Sequence, residues 1–257
     1  ADLWTGMKCS THQALFRCLF LFFSSCAIFL SGEGDMGTYV NPGLINFNSS
    51  KKNKYYIDKS MLIALLNESI GTDNRYLCVS RPRRFGKTMA ANMIAAYYSK
   101  GCDSHEIFSD LNISKDPTFE ENINKYTVIQ LDMNDVVTNK EDDSVTEYIN
   151  KEIVSELRKV YPSVLLADDT SLSKAIKEIY SSTGDRFVFV IDEYDVIIRD
   201  QQYSSELSGY LSFLVSLFKN SIISPAIALA YLTGIMPIIK EQTQSKLNNF
   251  NEYTLSH

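Results

Sequence analysis

This 257-residue chain predicts an α/β fold around a mostly parallel sheet, on three observations. Apolar, β-rich runs alternate with helical patterns, the order that sets parallel strands between layers of helices. Phe187-Val-Phe-Val-Ile191 carries no polar residue, as a strand buried on both faces requires. Tyr76 to Ser80 breaks into a tight basic turn and then directly into a helical pattern, a strand–loop–helix unit.

Bulk properties narrow the classes. A hydrophobic content of 45% and a charged content of 22% are ordinary for a globular protein. A net charge of −6 argues against a nucleic-acid binder that uses its whole surface. The five cysteines, at 9, 18, 26, 78 and 102, contain no C-x-x-C pair, so neither a disulfide framework nor a zinc site is expected.

Residues 1–35 differ in character from the rest of the chain. Lys8 and Arg17 precede an apolar run from Cys18 to Leu30, and Ser31-Gly32 come next, which is the layout of a signal peptide. The run is short for a membrane span, and no stable span is expected. The second reading starts the domain at Met36, with 1–35 an upstream extension outside the fold. It is favoured because the chain opens on Ala1 and the remainder has the character of a cytoplasmic enzyme. A true signal would instead make the protein secreted or membrane-associated.

From residue 37 to 57 the chain is rich in Asn, Gly and Lys, and irregular lead-in structure is expected. Asp58 is placed to cap a helix with Leu62, Leu65, Leu66 and Ser69 on one face. Arg75 to Ser80 is the first strand. A helix from Met89 to Ser99 presents Met89, Met93 and Tyr97 to the core, with Ala90 and Ile94 beside them. Tyr126 to Leu131 is the second strand, ending at Asp132. Ser144-Val-Thr-Glu147 forms a capping box, opening a helix with Val145, Ile149, Ile153, Leu157 and Val160 in one stripe. Leu172, Ala175, Ile176 and Ile179 mark another helix. Phe187 to Ile191 is the third strand, Leu207 to Phe218 an amphipathic helix, and Ala226 to Leu232 the fourth strand.

The basic turn carries the chemistry. Arg81-Pro-Arg-Arg-Phe-Gly-Lys-Thr88 ends in the Gly-Lys-Thr of a phosphate-binding loop, with Met89 next to it. Backbone N–H groups at a helix start would face phosphates, Lys87 would reach the outer oxygens, and Thr88 would hold Mg²⁺. The full pattern has Gly where Arg81 stands, and Pro82 removes another donor, so the loop is expected to be shaped differently from the standard one. Arg81, Arg83 and Arg84 are open to three uses: phosphate contact, nucleic-acid contact, or ion pairs that hold the loop. The tripeptide alone is a common coincidence.

A second constellation decides between coincidence and site. The strand Phe187–Ile191 delivers Asp192 and Glu193 to its carboxyl end, where open α/β sheets bind ligands. Asp192 would position Mg²⁺ opposite Thr88, and Glu193 would polarise an attacking water as general base. Thr233, ending the next strand, is a candidate contact for the terminal phosphate or that water; a plain start to the Gly234 turn is an equal alternative.

With both motifs in place, the chain resembles the bacterial AAA-ATPase-like family of P-loop proteins. The matching pieces are Met36-Gly-Thr-Tyr-Val-Asn-Pro-Gly43, Tyr56-Ile-Asp-Lys-Ser60, Val79-Ser-Arg-Pro-Arg-Arg-Phe-Gly-Lys-Thr88, Val190-Ile-Asp-Glu-Tyr-Asp195, Leu232-Thr-Gly-Ile-Met-Pro-Ile238 and Leu247-Asn-Asn-Phe-Asn-Glu-Tyr253. The resemblance implies one P-loop NTPase domain over 36–257, a three-layer sandwich of the additional-strand, catalytic-Glu division. There the Thr233 strand lies between the other two site strands, and Glu252 to Leu255 begins a fifth. It also implies ATP and Mg²⁺ as ligands. Family members often continue into a nuclease-like domain, so this chain is expected to be truncated at its C-terminus. That missing region, nucleic acid reached through it, or oligomerisation would supply partners. The expected activity is ATP hydrolysis; the alternatives are a nucleotide-dependent switch with little turnover and, more weakly, a small-molecule kinase.

Overall fold

Parallel strands that are covered on both faces must be apolar on both, and the central strands are. Phe187–Asp192 (β3) and Ile227–Gly234 (β4) are buried along their whole length. In the computed structural model, which describes residues 37–238 and 247–254, they join Tyr76–Ser80 (β1), Thr127–Asp132 (β2) and Asn251–Tyr253 (β5). The five strands lie in the order β2-β3-β4-β1-β5, and every pairing is parallel. The fold is therefore a P-loop NTPase-like sandwich, with the Thr233 strand between the loop strand and the Asp192 strand.

The helices are Ile45–Lys51 (α1), Met61–Ser69 (α2), Lys87–Tyr98 (α3), His105–Phe108 (α4), Phe119–Asn122 (α5), Met133–Asn139 (α6), Val145–Val160 (α7), Leu172–Thr183 (α8), Val196–Arg199 (α9) and Leu207–Phe218 (α10). Strand alternation divides the core between the two sheet faces. Phe187, Phe189 and Ile191 pack with Ile149, Ile153, Ile176 and Leu214 from α7, α8 and α10. Val188 and Val190 pack on the other face with Ile94 and Tyr98 of α3 and Leu66 of α2. One irregularity interrupts β4: Phe187 lies opposite Ile227 but Val188 opposite Leu229, so the register slips by one residue. Ala228 and Leu229 consequently belong to the same side of the core.

Three expectations fail near the N-terminus. The lead-in is not irregular throughout, because Ile45–Lys51 is helical and buries Phe47, whose ring stacks on Phe108 at 5.1 Å. One buried aromatic outweighs an Asn- and Ser-rich composition of poor helix propensity. Asp58 is not a helix cap; it accepts hydrogen bonds from Ser60 N and Asn112 N, and α2 starts after Ser60. The buried residues of α2 are Ile63, Ala64, Leu66 and Asn67, whereas Leu65 is exposed and Leu62 half-buried. Buried hydrogen bonds set this rotation: Asn67 bonds Thr118 and the hydroxyls of Tyr97 and Tyr98. Residues 1–36 and Leu255 lie outside the described residues.

The expected capping box is present, with Glu147 N donating to Ser144 Oγ and Ser144 N to the Glu147 carboxylate. Ser144→Ala removes half of this reciprocal pair. Denaturant unfolding should register a loss of about 1 kcal/mol, as a lower midpoint at unchanged slope.

Candidate functional site

The basic loop grows directly out of the sheet. Beyond Ser80, Arg81 N donates to Gly234 O at 3.0 Å, so the chain stays registered on β4 for one more residue. It then turns through Arg84 and Gly86, both left-handed, with φ of 70° and 75°. Gly86 is the N-cap of α3 and offers no side-chain cap, which leaves the first N–H groups of that helix facing the loop. Lys59 closes the loop from outside, its Nζ donating to Phe85 O at 3.0 Å. The helix thus begins at Lys87, two residues before its expected start.

Lys87 folds back into the mouth of the loop. Its Nζ reaches Arg81 O at 3.2 Å, Pro82 O at 3.4 Å and Glu193 Oε1 at 3.3 Å, and the side chain is almost fully buried. Pro82, Arg83, Arg84 and Phe85 are exposed, Arg81 and Met89 half-buried. Thr88 lies on the open side.

Asp192 and Glu193 divide into two roles by geometry. Asp192 is 2% exposed. Its Oδ1 accepts from the Thr233 hydroxyl and from Glu193 N at 3.0 Å; its Oδ2 has no partner among the described residues. Thr233, fully buried, therefore directs its hydroxyl to Asp192. Glu193 has a φ of 50°, a left-handed conformation rare for a residue with a Cβ. Its Oε2 accepts from Arg199 Nη1 at 2.8 Å while Oε1 faces Lys87. Burial pushes its carboxyl up, but the Arg199 hydrogen bond and the Lys87 charge outweigh this and hold it below the usual range.

Two cavities flank the loop. A polar one of about 370 Å³ is lined by Thr88, Asp192, Asp132, Gln130, Asn92 and Tyr39 among others. Thr88 and Asp192 share this space. A buried carboxylate oxygen without a donor, beside a Thr hydroxyl, fits a hydrated Mg²⁺ reached through water. The second cavity, about 300 Å³, is mostly apolar, with Leu62, Leu77, Val79, Phe85 and Tyr253 in its wall and Lys59, Arg81 and Lys87 on it. The side of α2 that the core does not cover contributes to it.

Sequence reasoning singled out the loop, Asp192, Glu193 and Thr233, and the fold brings these together. It missed Asp132, which lies directly opposite Asp192 in the β2–β3 register. It also missed Asp195 and Arg199, whose spacing of four residues was their only local signal.

A family model described as "Predicted AAA-ATPase" matches residues 43–243. The chain belongs to the AAA-ATPase-like family. A longer protein of Azotobacter chroococcum mcd 1, "Uncharacterized protein in vnfD 5'region", is 23% identical over 205 residues, which cover 78% of this chain and 37% of that protein. The chain thus spans well under half the length of this relative. No helix among the described residues is long and apolar enough to cross a membrane.

The carboxyl of Asp132 is shifted in the opposite direction to that of Glu193. Burial first, then the charges of Asp192 and Asp135, push its carboxyl above the usual range, against the Asn134 N–H. The ionised form is disfavoured by folding, so the penalty is complete above the raised pKa and fades as pH falls through it. Asn can still cap α6. In Mg²⁺-free buffer, Asp132→Asn should therefore raise Tm at pH 7, and the gain should shrink as pH falls toward about 4 and be absent below it.

Proposed function

We propose that this domain binds ATP with Mg²⁺ and hydrolyses it. The observation that carries this reading is the Oδ2 of buried Asp192, unpartnered among the described residues, on one cavity with Thr88 and next to the Lys87–Glu193 pair. The free N–H groups of α3 and Lys87 take the phosphates. Thr88 and Asp192 would hold the metal, which would supply charge neutralisation at the phosphates. Lys87 exchanges its carbonyl and Glu193 contacts for phosphate oxygens. Glu193 Oε1, released by Lys87, accepts a proton from the attacking water. Thr233 keeps Asp192 oriented by its hydroxyl, and the apolar cavity offers walls for the nucleobase.

One observation favours a second reading, a nucleotide-dependent switch with little turnover. Glu193 is held by two cations and its pKa is depressed, which weakens it as a base. In that case bound ATP would control a partner: a nuclease-like domain, nucleic acid or a second subunit.

The two readings separate in one assay series. Mg²⁺-dependent ATP hydrolysis is expected from the wild type, lost on the order of 10²–10⁴-fold in Glu193→Gln, with nucleotide binding abolished in Lys87→Ala. Tight binding without wild-type turnover would select the switch, and binding unaffected by Lys87→Ala would reject both.

A further inference from the structure

We propose that Arg199 is a positioning residue for Glu193, holding one carboxylate oxygen so that the other is free for water once phosphate draws Lys87 away. This rests on the hydrolytic reading above and names how its glutamate is kept in place.

The two oxygens of Glu193 face different cations. Oε1 lies 3.3 Å from Lys87 Nζ, and Oε2 lies 2.8 Å from Arg199 Nη1. Only the first of these cations belongs to the phosphate loop. A lysine that turns to phosphate leaves its glutamate, and an unheld Glu side chain would rotate among several rotamers. Arg199 prevents this because it is itself anchored. It ends the single turn α9, its backbone N donates to Asp195 O at 2.9 Å, and Nη1 lies 3.4 Å from both Asp195 carboxylate oxygens.

Asp195 is the fixed point of the chain of contacts. It is fully buried, and Oδ2 also accepts from Ile235 N at 3.1 Å and Met236 N at 2.9 Å, just beyond Thr233 and Gly234. The guanidinium therefore ties Glu193 to the end of β4, the strand whose Thr233 orients Asp192. One guanidinium between two carboxylates also removes the repulsion that Glu193 and Asp195 would exert on each other. The neighbouring backbone is set independently, by Glu193 N on Asp192 and Tyr194 N on Thr233 O, so what Arg199 adds is side-chain direction.

The test is steady-state ATP hydrolysis with MgATP affinity measured alongside. Arg199→Ala should lower kcat on the order of 10- to 100-fold, the scale of a misplaced reacting group, with KM and MgATP affinity within about twofold. Arg199→Lys should recover part of the loss. In the Glu193→Gln background, Arg199→Ala should change residual hydrolysis no further, because its effect passes through that carboxylate. Arg199→Gln, which keeps the stem and a donor, replaces the Ala variant if that one does not fold. A wild-type kcat in Arg199→Ala, a loss confined to KM or binding, or a further loss in the Glu193→Gln background would each overturn the proposal. The last two would mark a direct phosphate contact instead. A wild type without hydrolysis is a failure of the hydrolytic reading itself, and is seen before any variant is made.

Discussion

The carboxyl end of β4 is the piece on which the whole site depends. Its neighbours β1 and β3 are not paired with each other, yet they deliver Lys87 and Glu193 to within 3.3 Å of each other. They do so because β4 bonds both continuing chains: Gly234 O accepts from Arg81 N, Thr233 O from Tyr194 N, and the Thr233 hydroxyl turns to Asp192. The glycine is needed for this closeness. A Cβ on Gly234 would lie 2.7 Å from the Asp195 carboxylate and from the Tyr194 ring.

The charges around that junction alternate in sign, Lys87, Glu193, Arg199, Asp195, each bonded or ion-paired to the next. Such a row satisfies its members without a ligand, and it is only partly shielded from water. Asp192 stands outside it. With its Oδ2 lacking a donor among the described residues and the Asp132 carboxylate opposite, it is the point where added positive charge has most to gain. Phosphate at the loop and a cation at Asp192 would thus each change one part of a pre-arranged network, and neither demands a change in the sheet.

Much of the fold was legible because its causes are local. Continuous apolar runs betrayed strands buried on both faces, and the Ser144–Glu147 box announced α7 by a reciprocal bond between residues three apart. The phosphate loop was legible by motif, and its Arg81 by family resemblance. What escaped depends on distant partners. The helix Ile45–Lys51 exists to bury Phe47 against Phe108, and the face of α2 is chosen by Asn67 bonding to Thr118, Tyr97 and Tyr98. Asp132, Asp195 and Arg199 likewise gain meaning only from the sheet order and the turns after β3 and β4. Apart from the four-residue spacing of Asp195 and Arg199, nothing in their own segments marks them.

In the proposed mechanism Glu193 and phosphate compete for Lys87. Calorimetric titration of MgADP into wild type and Glu193→Gln tests this without any turnover. Removing the carboxylate frees the lysine and takes a negative charge from the phosphate site, so Glu193→Gln should bind MgADP more tightly than wild type. Equal or weaker binding by Glu193→Gln would show that the glutamate does not compete with phosphate for Lys87.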